Sequence, residues 1–136
     1  MKFKFLSHTA DVKFRAYSDT LEGAFSNSVL AVSKFLFDGK IKEEKKFSVK
    51  ISGRDFESLL YNFIEEILFL IDSKNFVPSK VANLKIDKKK FSLSATFLGG
   101  PAQDYKIESH IKAVTYNEMF VKKIKNKWVL QVVLDI

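Results

Sequence analysis

The 136-residue chain contains no cysteine, two prolines, five glycines, a single tryptophan and two histidines. Without cysteine there is no disulfide framework, no thiol nucleophile, no thiolate zinc site and no iron–sulfur ligation. Any metal must be held by oxygen or imidazole, and with only His8 and His110 a structural zinc site would have to lean on carboxylates. The scarcity of Gly and Pro, beside fourteen Phe and 46% apolar residues, excludes a disordered or low-complexity chain. Long apolar runs are missing too. No stretch approaches the roughly 20 residues of a membrane span, and the opening Met-Lys-Phe-Lys-Phe-Leu lacks the core of a signal peptide, so the cytoplasm is the expected location. Arginine is rare: only Arg15 and Arg54 stand among 23 basic residues, against 16 acidic ones, for a net charge of +7. That is a diffuse lysine field, suited to acidic or nucleic-acid-bound partners, with few of the planar forks that read phosphates bidentately. Phosphate-loop, dinucleotide-fingerprint, nucleophile-elbow and metalloprotease motifs are all absent.

What is present is patterning. Phe3 and Phe5 alternate with Lys2 and Lys4, and Val12, Phe14 and Ala16 alternate with Lys13, Arg15 and Tyr17, predicting two strands around Ser7-His8-Thr9-Ala10-Asp11. Leu21, Ala24, Phe25, Val29, Val32, Phe35 and Leu36 then follow a helical period, with Asp19 and Glu22 at capping-box spacing and Gly39 as the expected left-handed stop. A third strand is expected at Phe47, Val49 and Ile51. The stripe from Phe56 to Ile71 predicts a second helix capped by Ser52 or Asp55. Ala82 to Ile86 and Phe91 to Phe97 predict a hairpin with a basic Lys88-Lys89-Lys90 tip, broken at Gly99-Gly100-Pro101. Two strands are expected around Ile111–Tyr116 and Val121–Lys125, and a last one from Trp128 to Leu134. The sum is one α/β (α+β) domain over residues 1–136, with two amphipathic helices packed on one face of a mixed sheet.

Chemistry-bearing residues cluster in few places. Ser7 to Asp11 puts two hydroxyls, an imidazole and a carboxylate at a strand junction, where Thr9 and Asp11 serve equally well to satisfy turn amides. The chain closes on Leu134-Asp135-Ile136, an oxygen-rich corner that a hard cation would accept if the sheet brought Asp11 to it; an ordinary solvated terminus is the competing reading. Ile111 to Glu118 gathers Lys112, Thr115, Tyr116 and Asn117, with Lys112, Val114 and Tyr116 expected on one face. That stretch suits phosphate contacts, a protein surface or a wet sheet face alike. The adjacent Glu65 and Glu66 diverge on a helix and read as a solvated face.

Four strings in order, His8-Thr9-Ala10-Asp11-Val12, Leu59-Leu60-Tyr61-Asn62-Phe63, Ile111-Lys112-Ala113-Val114-Thr115-Tyr116 and Leu134-Asp135-Ile136, resemble the archease family, across essentially the whole chain. The resemblance implies a strand-helix-strand-strand module with added strands. It implies an accessory protein, not an enzyme: a cofactor of the RtcB-type tRNA-splicing RNA ligase that promotes guanylylation of the ligase's active-site histidine, multiple turnover and broader nucleotide use. A chaperone-like modulator of an RNA-modifying enzyme such as a tRNA methyltransferase, or a direct basic RNA-binding module, is the alternative. The resemblance also implies a divalent metal, calcium first, with magnesium or manganese as substitutes, held by Asp11, Asp135 and the backbone oxygens of Ile136. His8, Lys112 and Tyr116 are implied contacts to partner or nucleotide. The expected partner is the ligase, with tRNA reached through it, no membrane, and a monomeric chain. Asn117 stands where the family string commonly has histidine, so proton shuttling is not expected there, and His110 is given no role.

Overall fold

The computed structural model describes residues 1–7, 11–107 and 109–136. Seven strands and two α-helices run in the order β1 (Phe3–Leu6), β2 (Val12–Ser18), α1 (Leu21–Leu36), β3 (Lys45–Ser52), α2 (Phe56–Lys74), β4 (Phe76–Asp87), β5 (Ser92–Pro101), β6 (Ala113–Ile124) and β7 (Lys127–Asp135). The mixed α+β class is the expected one. The strands, however, divide into two antiparallel sheets, ordered β1-β2-β7-β6 and β3-β5-β4, where one mixed sheet was expected. The unit β3-α2-β4-β5 is the strand-helix-strand-strand module and builds the second sheet by itself. The first sheet joins the two ends of the chain, with Val12 paired to Leu134. Periodicity specifies which face of a strand is buried and carries nothing about so distant a partner.

Both helices touch both sheets, so one apolar core is shared. Phe63 of α2 is fully buried, its ring 5.7 Å from Phe25 of α1 and 5.3 Å from Phe97 of β5. Each such side chain contributes roughly 1.5–3 kcal/mol through burial. Central strand β7 is buried on both faces, from Val129 to Leu134. Leu130, Val132 and Leu134 join the main core, whereas Val129, Gln131 and Val133 lie on the opposite side.

Both ends of α1 differ from their expected caps, whereas the N-terminus of α2 does not. α1 is capped by Thr20, whose side chain accepts from the Gly23 N–H at 3.0 Å, one residue on from the Asp19 expected. Its C-terminus closes through an extended Phe37, whose N–H donates to the Ser33 carbonyl at 2.9 Å, and Gly39 does not adopt a positive φ. α2 is capped by Asp55, as one of the two expected candidates. Its carboxylate accepts from the Ser58 N–H at 2.7 Å, and the Ser58 hydroxyl oxygen accepts in return from the Asp55 N–H at 3.1 Å.

Asp55→Ala should therefore cost about 1 kcal/mol in urea denaturation at neutral pH. Backbone and side-chain hydrogen bonds from Ser58 hold the Asp55 carboxyl below its ordinary value. A lowered folded value means that this contribution is complete above the unfolded carboxyl range, near pH 4, and is lost as pH falls through the folded value. The gap between wild type and variant should narrow in acid; an equal gap at all pH values would refute the assignment.

Two stretches of strand depart from the expected boundaries. β5 continues through Gly99 and Gly100, pairing with both β3 and β4, although the sequence reads there as a break. β6 is one strand, not two, interrupted between Thr115 and Phe120, where five steps along β6 answer two along β7. Glu118 has φ 55° within that excursion. Strand edges are left at β1, β6, β3 and β4. Among the described residues, no helix is long and apolar enough to cross a membrane.

Candidate functional site

The β2–β7 ladder decides what meets at one end of the first sheet. Its outermost pair on that side is Val12 with Leu134. Asp11 lies one residue before Val12 and Asp135 one residue after Leu134, so two carboxylates occupy facing positions at the same end of adjacent antiparallel strands. On the other side of β7, Ala113 pairs with Asp135, and the Lys112 N–H donates to the Asp135 carbonyl at 2.7 Å. The end of β7 is thus set between Asp11 on one flank and Lys112 on the other. Asp11 is half-buried, while Lys112, Asp135 and Ile136 are exposed.

Asp11 also borders a cleft of about 490 Å³, whose walls include Phe5, Ser7, Lys13 and Phe35. The Lys34–Asp38 ion pair, 2.8 Å, forms part of its rim at the C-terminal end of α1. Its border carries both signs of charge, Asp11 and Asp38 beside Lys13 and Lys34.

The donor chemistry at the corner is all oxygen: the carboxylates of Asp11 and Asp135 and the backbone oxygen of Ile136. Hard cations of the calcium, magnesium and manganese type take such donors. Among the described residues, no three His, Cys, Asp or Glu side chains converge closely enough to hold a metal. A cation here would draw on two carboxylates and fill its remaining positions, six to eight oxygens in the case of calcium, with backbone oxygen, water or oxygens brought by a partner. The residues fit that kind of exposed, incompletely filled site.

The other candidate residues are spread more widely. His8 lies outside the described residues. Tyr116 belongs to the β6 excursion and stacks on Tyr61 of α2, with ring centroids 4.2 Å apart and planes 8° from parallel. Partial burial, and next the Tyr61 phenol, hold the Tyr116 hydroxyl above its ordinary value, so it stays protonated and a hydrogen-bond donor at neutral pH. Val114, expected on the same face as Lys112 and Tyr116, is buried against the core while both of those are exposed. Asn117 is exposed within the excursion. His110 is exposed and borders a small recess of about 60 Å³ with Asp72 and Ile111.

One feature of this region has no counterpart in the sequence reading. Gln131, 4% exposed on β7, accepts from Arg15 Nε at 2.8 Å and donates to the Glu118 carbonyl at 2.6 Å. Lys13 Nζ pairs with the Glu118 carboxylate at 3.1 Å, and Arg15 stands 5.5 Å from the Phe120 ring centroid. These contacts pin the excursion to β2 and β7. The one available signal was a polar residue between Val129 and Val133 in an otherwise apolar strand.

Comparison with known proteins adds the following. Residues 3–136 match the model of the archease protein family. A protein described as archease from Methanosarcina acetivorans is 36% identical over 140 residues, covering 99% of this chain and 96% of that protein. The solution structure of a Methanobacterium thermoautotrophicum protein superimposes with a TM-score of 0.78 at 30% identity, over 99% of both chains. The crystal structure of a Thermotoga maritima protein described as an archease and possible chaperone shares the fold with a TM-score of 0.65 at 18% identity, over 98% of this chain and 96% of that one.

Proposed function

The chain belongs to the archease family, and from that premise we propose that it is an accessory protein of an RtcB-type RNA ligase, promoting guanylylation of the ligase's active-site histidine and its repeated turnover in tRNA splicing and RNA repair. The observation that carries this reading is the corner itself: Asp11, Asp135, the Ile136 backbone and Lys112 gathered at one end of the first sheet, beside an open cleft. Transfer of a nucleotidyl group is governed chiefly by positioning and charge neutralisation, so a protein that contributes neither nucleophile nor general base can still raise its rate.

In this reading Asp11 and Asp135 hold a divalent cation, whose contribution is to neutralise phosphate charge. Lys112 supplies a mobile ammonium beside it, its backbone fixed by the bond to Asp135 and its side chain directed to a partner surface. Tyr116, protonated and stacked, presents a hydroxyl on the neighbouring excursion. The small size of the corner and its exposed oxygens suit a site completed by a second protein.

Single-turnover guanylylation of the cognate ligase, with this chain at substoichiometric concentration, tests the proposal. Acceleration by catalytic amounts is the expected result, and an unchanged rate would overturn it. A chaperone-like role toward an RNA-modifying enzyme is the second reading, favoured by the description of the Thermotoga maritima relative as a possible chaperone. It predicts instead stoichiometric protection of a client such as a tRNA methyltransferase from aggregation.

A further inference from the structure

The second sheet turns Phe47, Val49, Ile51, Leu93, Ala95 and Phe97 toward the core. Its opposite face has a regular composition that neither the corner nor the family reading uses. The pairing aligns four rows across it. Lys46, Leu98 and Lys80 form the first, and Ser48, Thr96 and Ala82 the second. Lys50, Ser94 and Lys85 form the third, and Ser52, Ser92 and Asp87 the last. Beyond Leu98, central strand β5 carries only the short side chains of Thr96, Ser94 and Ser92, while the two edge strands carry lysines on both banks. The result is a trough along β5, seen as two adjoining depressions of about 640 and 470 Å³ that share Lys50, Lys85 and Ser94.

Strand spacing puts Lys50 and Lys85 about 10 Å apart across the trough, and Lys46 and Lys50 about 13 Å apart along one bank. Of the acidic groups nearby, Glu43 is ion-paired with Lys80 at 3.3 Å, and Asp87 stands at the far end of the trough, its carboxylate held by the backbone N–H groups of Lys89 and Lys90 at 3.0 and 3.1 Å. Among the described residues, Lys46, Lys50 and Lys85 take part in no ion pair. Hydroxyls line the floor, with Ser48 and Thr96 bonded to each other at 3.1 Å.

We propose that this outward face of the β3-β5-β4 sheet is a docking surface for the sugar-phosphate backbone of double-helical RNA. Two banks of ammonium groups meet the charge of phosphates, and the hydroxyl floor suits phosphate oxygens and 2′-hydroxyls, the groups through which an RNA duplex is bound by shape. No aromatic side chain stands in the four rows, so the face offers no stacking platform of the kind that holds unpaired bases. Lysines without guanidinium forks bind phosphate as point charges and carry no sequence reading. The ligase has no part in this contact, so its test is independent of the function proposed above.

Fluorescence anisotropy of the protein alone with a labelled RNA hairpin, over 50–200 mM salt, reads the contact directly. Four phosphate contacts predict a loss of affinity of roughly 100-fold across that range, and two contacts roughly tenfold. The double variant Lys50→Ala/Lys85→Ala, with an unchanged circular dichroism spectrum, should move the protein from the first behaviour to the second, equally for hairpins of unrelated sequence. Several outcomes would overturn the proposal: no binding at 50 mM salt, an unchanged salt dependence in the variant, or a preference for single-stranded RNA. It would equally fail if the loss followed Lys89→Ala/Lys90→Ala at the hairpin tip instead, or if an acidic peptide bound the trough more tightly than the hairpin, which would mark it as a protein interface.

Discussion

Asp135→Ala is expected to reduce ligase stimulation to the rate of the unassisted enzyme, with no loss of fold, and Asp11→Ala to do the same. Both residues lie beyond the last regular pair of the β2–β7 ladder, and Asp135 is exposed, so neither substitution empties a core position. The backbone bond from Lys112 to the Asp135 carbonyl survives truncation of the side chain. Calcium or terbium titration should show affinity falling by more than about 100-fold, beyond what loss of an outer-shell partner alone costs a metal site. Lys112→Ala separates the two roles: metal affinity should be retained while stimulation falls. If both carboxylate variants stimulate as well as wild type, the metal part of the proposed function is wrong.

Gly99→Ala is expected to be the most destabilising single methyl addition in the chain. A Cβ at Gly99 would overlap the Val77 carbonyl oxygen and stand 2.8 Å from the Phe76 ring, both fully or almost fully buried in the core. The Gly99 carbonyl also accepts the Glu44 N–H at 2.8 Å. Strand β5 cannot retreat without breaking its pairing with β3 or β4. Overpacking in such a place costs at the upper end of the usual range, about 3 kcal/mol or more, against a total stability of roughly 5–15 kcal/mol. Gly39→Ala provides the contrast, because its Cβ would stand 2.6 Å from the edge of the Phe37 ring on an exposed turn, where a side chain and not a paired backbone has to shift, and it should cost clearly less than Gly99→Ala. Chemical denaturation of the two variants decides the matter. Equal, small effects would mean that the β4–β5 approach is looser than the structure has it.

That glycine also illustrates what the sequence could and could not convey. Gly99-Gly100-Pro101 carries the local chemistry of a break, and in isolation it would be one. Pairing on both sides, a nonlocal effect, carries β5 through it. α2 was legible nearly to its ends, because the stripe from Phe56 to Ile71 and the Asp55 cap are both local. β6 was read as two strands for a physical reason. Thr115 lies opposite Val133 and Phe120 opposite Gln131, so an odd number of extra residues reverses which alternate positions face the core, and the period of two is lost across the excursion. Asp11 and Asp135 were visible as oxygen donors, yet their juxtaposition depends on a ladder between residues more than a hundred positions apart, which no periodicity encodes. The Arg15–Gln131–Glu118 contacts were hidden for the same reason, since each partner lies on a different strand.

The four open edges limit how anything can attach to this protein. β1 has only four residues. β6 is broken by its excursion and carries Lys122, Lys123 and Lys125 near its end. β3 carries Lys45, Lys46 and Lys50, and β4 contains Pro78 and two one-residue shifts of register. Each is a recognised means of denying a foreign strand a continuous row of free amides and carbonyls. Growth of either sheet by an added strand is therefore disfavoured at every border, which protects a phenylalanine-rich chain from stacking on copies of itself. Recognition is left to side chains on faces and corners rather than to the backbone of an added strand.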